Sequence, residues 1–316
     1  MNPLNFLPLA KSKGVTVYAQ KSDFFSFFNS PYYSHINTSA VDIYPGGSNL
    51  ETLVLSPVDG TVSKLYEFKS PRPKYFEAPE MEQLILITPK ENPNVYVRLL
   101  HVNCNLQVGT LLSVGDCLGP LIRSGFFNFW TSRHLHIEIR SHEEPLRAKG
   151  GYPMEPINSG QNILRRKAEG IPCMRVRYVN ENYALVELEG GLSKLGNFWG
   201  LECMVNNVSG ILDCGIPHYC HGGVHTMDAA PAKVGDKIWL WGVTIGLVTQ
   251  VFRNFIHFKC SPLSIYVNDF PIKGLSLYPW LREAENIKLI PKFPHDFQHL
   301  KIGENICLKF VEEVNM

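Results

Sequence analysis

The 316-residue sequence predicts a mainly β protein built in two parts. Three observations carry that expectation. Short runs rich in apolar and β-branched residues recur along the chain, and Gly, Pro, Asn or Asp separates most of them, drawing on 25 glycines and 22 prolines. Almost no stretch repeats apolar residues at i, i+3 and i+4 over three turns, which is the helical signature. A length of 316 residues corresponds to two domains at roughly 150 residues each.

In chain order the strand candidates are "LETLVLSP", "GTVSKLYEF", "EQLILITP", "NVYVRLLHV" and "HLHIEIR" in the first half. "CMRVRYV", "YALVELEG", "KIWLWGV", "GLVTQVF" and "NICLKFVEEV" follow in the second. Short helical turns are expected only in "SFFNSPYYSH" and "WLREAENIKLI". A stretch rich in Gly, Pro and charge, "EPLRAKGGYPMEPINSGQNILRRKAEGIP", separates the halves. The expected division is an N-terminal arm at 1–29, a β domain at 30–145, a linker at 146–171 and a second β-rich domain at 172–316.

Bulk properties narrow the function classes. Formal net charge is +1 and charged residues make up 19%, so bulk electrostatic binding of nucleic acid or an anionic membrane is not expected. Apolar stretches such as "IWLWGVTIGLV" fall well short of the roughly 20 residues a membrane-spanning helix needs, so no transmembrane segment is expected. "MNPLNFLPLAKSKG" has neither the basic start nor the long apolar core of an export signal. The eight cysteines are scattered singly with no CxxC pair, as for buried thiols in a reducing compartment. A cytoplasmic location is the expectation.

Chemistry concentrates in the first half. In "SRHLHIEIR" side chains alternate, so Leu135, Ile137 and Ile139 take one face while His134, His136, Glu138 and Arg140 take the other. Upstream, "SHINTSAVDIYP" offers His35 and Asp42, "SPVDGTV" is a strand–turn–strand, and "YVRLLHVNCNLQVGTLLSVGDCLG" places His101 at a strand end before two glycine turns. Histidine and carboxylate are the usual donors of catalytic zinc, which takes three protein ligands and keeps a position open for water. Glu138 is either an orienting partner for a ligand histidine or a plain exposed carboxylate.

These segments, in this order, resemble the lysostaphin/LytM-type zinc metallopeptidases. The matching positions are Pro57, Gly60 and Val62; His101; Gly109, Val114, Gly115 and Gly119; and His134, Leu135, His136 and Glu138. The resemblance covers about a third of the chain and implies an antiparallel β-sandwich or hybrid-barrel peptidase domain holding one Zn2+ ion. It implies Asp42 and His136 as zinc ligands, with His35 as the third, and His101 and His134 as the catalytic histidines. The family's spacing is H-x-x-x-D, whereas Thr38 stands four residues before Asp42 and His35 seven before it. His35 therefore reaches the metal only if "INTSA" bulges. Leu99 occupies the tyrosine position of the family's Y-x-H strand.

The resulting expectation is a zinc-dependent endopeptidase acting on a peptide or peptidoglycan-like cross-link. The first alternative is a degenerate module that binds a peptide or partner protein. A more distant one is a phosphohistidine carrier, which "SPVDGTV" also resembles. The second half resembles no family. Its "CGIPHYCHGGVHTMD" gathers His218, Cys220, His221, His225 and Asp228, either as a second metal site or as a packed polar turn. Trp199, Trp239, Trp241, Tyr278 and Trp280 are core or the lining of a ligand groove.

Overall fold

The computed structural model describes residues 5–46, 53–162, 170–188, 190–283 and 286–313. The protein is almost entirely β, and its chain divides into two compact units. Unit 1 holds residues 1–27 and 32–157; unit 2 holds 28–31 and 158–316. This division differs from the expected one at both ends of the first domain. The supposed arm forms three strands of unit 1, and the supposed linker contributes its first twelve residues to the same unit. Within the linker, residues 163–169 lie outside the described residues.

The strands of unit 1 are β1 (Phe6–Ser12), β2 (Val15–Gln20), β3 (Phe24–Ser26), β4 (Ala40–Tyr44), β5 (Leu53–Leu55), β6 (Gly60–Lys69), β7 (Met81–Pro89), β8 (Val95–Leu100), β9 (Leu111–Leu112), β10 (Cys117–Pro120), β11 (Leu135–Ser141) and β12 (Glu155–Pro156). One helical turn, α1 (Tyr33–Ile36), lies in the first segment expected to hold one. In the second, "WLREAENIKLI", the chain forms a strand at Asn286–Ile290, and 284–285 lie outside the described residues.

The central sheet of unit 1 is antiparallel, in the order β3-β4-β11-β8-β7-β6-β9. β11, the "HLHIEIR" strand, sits between β4 and β8. Both of its faces are buried, since every residue from Leu135 to Arg140 is shielded from solvent. The face with charged residues is thus an internal polar layer. Two smaller sheets, β12-β1-β2 and β10-β5, complete the unit. β12 returns to the chain start by pairing Ala10 with Pro156 and Lys11 with Glu155.

Unit 2 contains a closed barrel. Six strands pair in a ring: Glu202–Val205, Lys237–Leu240, Val243–Val251, Phe255–Cys260, His221–His225 and Val208–Ile216, the last pairing again with the first. Closure satisfies edges that an open sheet would leave unpaired. Apolar side chains including Leu212, Val224, Ile238, Ile245, Ile256 and Phe258 are buried in its core. From Val208–Ile216 the sheet continues through Gly274–Leu277, Asn286–Ile290, Ala184–Leu188, Met174–Val179 and Asn305–Ile306. Among the described residues, no helix is long and apolar enough to cross a membrane.

Candidate metal centre

Strand register brings the polar residues together. Asp42 on β4 is the direct partner of His136 on β11, and Glu138, two residues on, is the partner of Arg98 on β8. Directly opposed residues on antiparallel strands have Cβ atoms about 4.5–5.5 Å apart, so their side chains meet. His134 precedes β11, and His101 follows β8 with φ +71°, a left-handed conformation costly for a non-glycine residue.

His35 arrives by a local device that its spacing demanded. It lies in α1, and Thr38 then adopts φ +57°. Ser39 N–H donates to Ser34 O at 2.7 Å, tightening the turn before β4 begins. The seven-residue separation from Asp42 is thus taken up by one helical turn and a left-handed residue. His35 Nε2 lies 3.4 Å from Asp42 Oδ2.

His35, Asp42 and His136 each offer a donor atom, and these atoms lie within 4.8 Å of one another. In tetrahedral zinc coordination, bonds of about 2.0–2.1 Å put neighbouring donors roughly 3.3 Å apart; the His35–Asp42 separation matches. The far side of each imidazole is also held. His35 Nδ1–H donates to Phe27 O at 2.9 Å, leaving Nε2 toward Asp42. His136 Nε2–H donates to Glu138 Oε1 at 2.9 Å, and Nδ1 faces Asp42 Oδ1 at 2.8 Å. Ligand histidines are usually fixed by such an outer hydrogen bond. Two imidazoles, each oriented from behind, and a carboxylate fit a zinc ion by donor chemistry.

Glu138 is buried, so the exposed-carboxylate alternative fails. It accepts from Arg140 Nη1–H at 2.9 Å and from Arg98 Nη2–H. Arg140 is fully buried and also donates to the carbonyls of Glu144, Arg147 and Lys149, while Arg98 reaches the Arg147 carbonyl at 3.0 Å. His136 is therefore tied through Glu138 to the loop after β11.

Titration follows from these contacts. Burial drives the His136 imidazolium down, but hydrogen bonds to Asp42 and Glu138 outweigh it and raise its pKa to about 9. Both ring nitrogens face carboxylates, which favours the protonated ring. Burial pushes the Glu138 carboxyl up, yet His136 and the two arginines pull it down to about 2. Asp42 is likewise held well below the usual carboxylate range: its burial is overcome by His134, His35 and His136.

The two other histidines stand beside this set. His134 Nδ1–H donates to Ser132 O at 2.9 Å, and its Nε2 lies 3.4 Å from Asp42 Oδ2. Burial lowers its pKa to about 3, so the ring is neutral. The His101 ring lies 5.3 Å from that of His134 and 6.0 Å from that of His136. Phe127 stacks on His134 at 4.5 Å and meets the edge of His101 at 4.7 Å. The structure thus brings together all five expected residues. Glu82, Arg98 and Phe127 were not expected, and Arg140 was expected on this face without a role. Glu82 had one visible signal, a carboxylate at the head of the apolar run "EQLILITP".

The histidines of unit 2 form no comparable set; among the described residues, His35, Asp42 and His136 make up the one group with metal-ligand geometry. His225 pairs with Asp213 at 3.1 Å, whereas His221 contacts Ser30 O and the His257 ring. "HGGVH" is a barrel strand, and its glycines have a steric reason. A Cβ on Gly223 would fall 2.1 Å from the Phe28 ring, and one on Gly222 would fall 2.3 Å from Cys214 Cβ. Of the aromatics, Trp199 and Trp280 bridge backbone to backbone, Trp241 packs on the core, and Trp239 is 40% exposed.

Fold and site define a two-domain β protein with a buried histidine–carboxylate centre in its first domain. Residues 14–156 match the family model described as "Domain of unknown function (DUF8155) N-terminal domain", and residues 173–311 match the corresponding C-terminal domain, so the chain carries the two DUF8155 domains in order. No curated protein matches. A similar solved structure is the NMR solution structure of lysostaphin, 13% identical over 76% of this chain and 95% of that chain, with a TM-score of 0.26. That likeness is too loose to support an argument about the site.

Proposed function

We propose that the first domain is a zinc-dependent metallopeptidase hydrolysing a peptide bond, with a peptide or peptidoglycan-like cross-link as substrate. The observation that carries this reading is the convergence of His35 Nε2, Asp42 and His136 Nδ1, each imidazole fixed from behind by a separate acceptor. A zinc ion held there supplies an acidified water and a polarised carbonyl.

The chain's own residues supply the rest. His134 is neutral, with Nδ1 committed to Ser132 O and Nε2 directed to the Asp42 side of the site. His101 keeps Nδ1 on Glu82, and its other nitrogen is the available base. With Nδ1–H given to Ser132 O and to Glu82, both rings present a lone-pair nitrogen to the site: one accepts a proton from water and, as the imidazolium so formed, donates to the developing oxyanion or returns that proton to the leaving amine. Burial excludes bulk water and strengthens each of these interactions.

The test pairs metal content with peptide cleavage. The wild-type chain should bind one zinc, His136→Ala should lose it, and His134→Ala should keep it while losing cleavage. Undiminished zinc in His136→Ala would refute the ligand assignment. A wild type that binds no zinc would favour a peptide-binding module.

A further inference from the structure

Glu82 lies outside every motif that marks the site. It sits on β7, is buried, and divides its two oxygens between different tasks. Oε1 accepts from Ser124 Oγ at 2.6 Å, from Gly125 N at 3.2 Å and from Ser70 Oγ. Oε2 accepts from His101 Nδ1 at 3.0 Å. A buried carboxylate is tolerated only when its lone pairs are answered, and here each oxygen has its donors. Burial pushes the Glu82 carboxyl up, but His101 and the two serines outweigh it, so it is ionised at neutral pH. Ser70 and Ser124 come from different loops and are buried, so the carboxylate cannot rotate without breaking both contacts.

We infer that Glu82 is a positioning residue: it keeps the proton of His101 on Nδ1, so that Nε2 is the lone-pair nitrogen, and it anchors the 124–127 turn that sets Phe127 against His101 and His134. The effect on catalysis rests on the hydrolytic reading above; the position of the proton does not. The device is a carboxylate–imidazole pair outside the metal ligands, acting on a histidine that would contact water or substrate.

The asymmetry of the two oxygens makes the inference testable with a near-isosteric change. In Glu82→Gln, three donors surround the Oε1 position and select the amide oxygen for it. The amide nitrogen must then take the Oε2 position, opposite His101 Nδ1. Two donors cannot face each other, so the His101 proton moves to Nε2.

The experiment uses the full chain with zinc added and histidine labelled with 15N. Tautomers are read from long-range 1H–15N correlations, alongside zinc content and peptide kinetics. The wild type should show His101 as the Nδ1–H tautomer, and Glu82→Gln as Nε2–H. The variant should retain one zinc and a KM within about threefold, while kcat falls by about 10²–10⁴-fold, the range for losing a correctly protonated acid–base group. A wild-type His101 carrying its proton on Nε2 overturns the inference, even if the variant does not fold. So does a Glu82→Gln chain that keeps the Nδ1–H tautomer or full kcat. A wild type that binds zinc without cleaving peptides overturns the hydrolytic reading alone, and the tautomer still decides the role of Glu82.

Discussion

Replacing Glu138 with alanine should damage the protein in two separable ways. The first is stability. Glu138 is buried and accepts from two guanidiniums, those of Arg98 and Arg140, of which Arg140 has no exposed surface. Removing one partner of a buried ion pair typically costs about 3–5 kcal/mol, because the charge left behind is uncompensated. Arg140 keeps the carbonyls of Glu144, Arg147 and Lys149, and Arg98 keeps that of Arg147, so both retain partial solvation by the protein. The loss should therefore lie at the lower end, about 3 kcal/mol. The second effect is on metal affinity. His136 loses the acceptor that orients its Nε2–H, and outer hydrogen bonds of this kind are worth about 10–100-fold in affinity, or roughly 1.4–2.7 kcal/mol. Urea denaturation of the metal-free chain measures the first, and competition with a chromophoric zinc chelator measures the second. A metal-free variant within 1 kcal/mol of wild type, on a scale where about 3 is expected, would refute the view that Glu138 neutralises the two arginines. Zinc affinity within about threefold of wild type would refute its role in holding His136.

Four further outcomes follow from contacts described above. The His136 pKa is raised to about 9 from an ordinary value near 6.5, so its contribution to stability is complete below about pH 6.5 and is lost as pH rises through 9; urea midpoints measured in chelator should fall over that window, and a flat profile would contradict the assignment. For the same reason zinc binding at pH 7 should release about one proton from His136, readable by calorimetry in buffers of different ionisation enthalpy. Phe127→Ala removes the ring stacked on His134 and should cost about 3–5 kcal/mol while speeding modification of His101 and His134 by diethyl pyrocarbonate; unchanged modification rates would show that Phe127 does not cover them. Gly223→Ala places a methyl 2.1 Å from the Phe28 ring inside a packed barrel, so a loss of about 1–3 kcal/mol in thermal unfolding is expected, and neutrality would mean that Phe28 moves aside without cost.

The β character of the chain and the first-half site were legible because both rest on short-range patterns. Alternation in "HLHIEIR" assigns faces to His134 and His136 without knowledge of their neighbours, and the pattern of glycine turns orders the segments around them. Pairing was not legible. That His136 lies opposite Asp42, and Glu138 opposite Arg98, depends on register between strands far apart in sequence, which no local pattern encodes. Glu82 was missed for the same reason: its meaning comes from His101, Ser70 and Ser124, on three other segments. His35 raised a question of spacing that Thr38 answers, and a threonine at positive φ has no sequence mark of its own. The first 29 residues, expected as an arm, include the strand-forming stretch "FLPLAKSKGVTVYAQ". Its second part alternates cleanly, with Val15, Val17 and Ala19 buried.

The return of β12 to β1 has a consequence for biosynthesis. On the side of β1 away from β2, Ala10 and Lys11 pair with Pro156 and Glu155, so this sheet joins the beginning of the first domain to its end. At roughly 5–20 residues per second, a ribosome needs about 7–30 s to make the intervening segment. Until then one side of β1 has no strand beside it, and the nascent domain carries an open edge. Ribosome-bound chains truncated before residue 155 should engage chaperones more than those extended past it. The first domain then closes in a late step, once its last strand clears the exit tunnel.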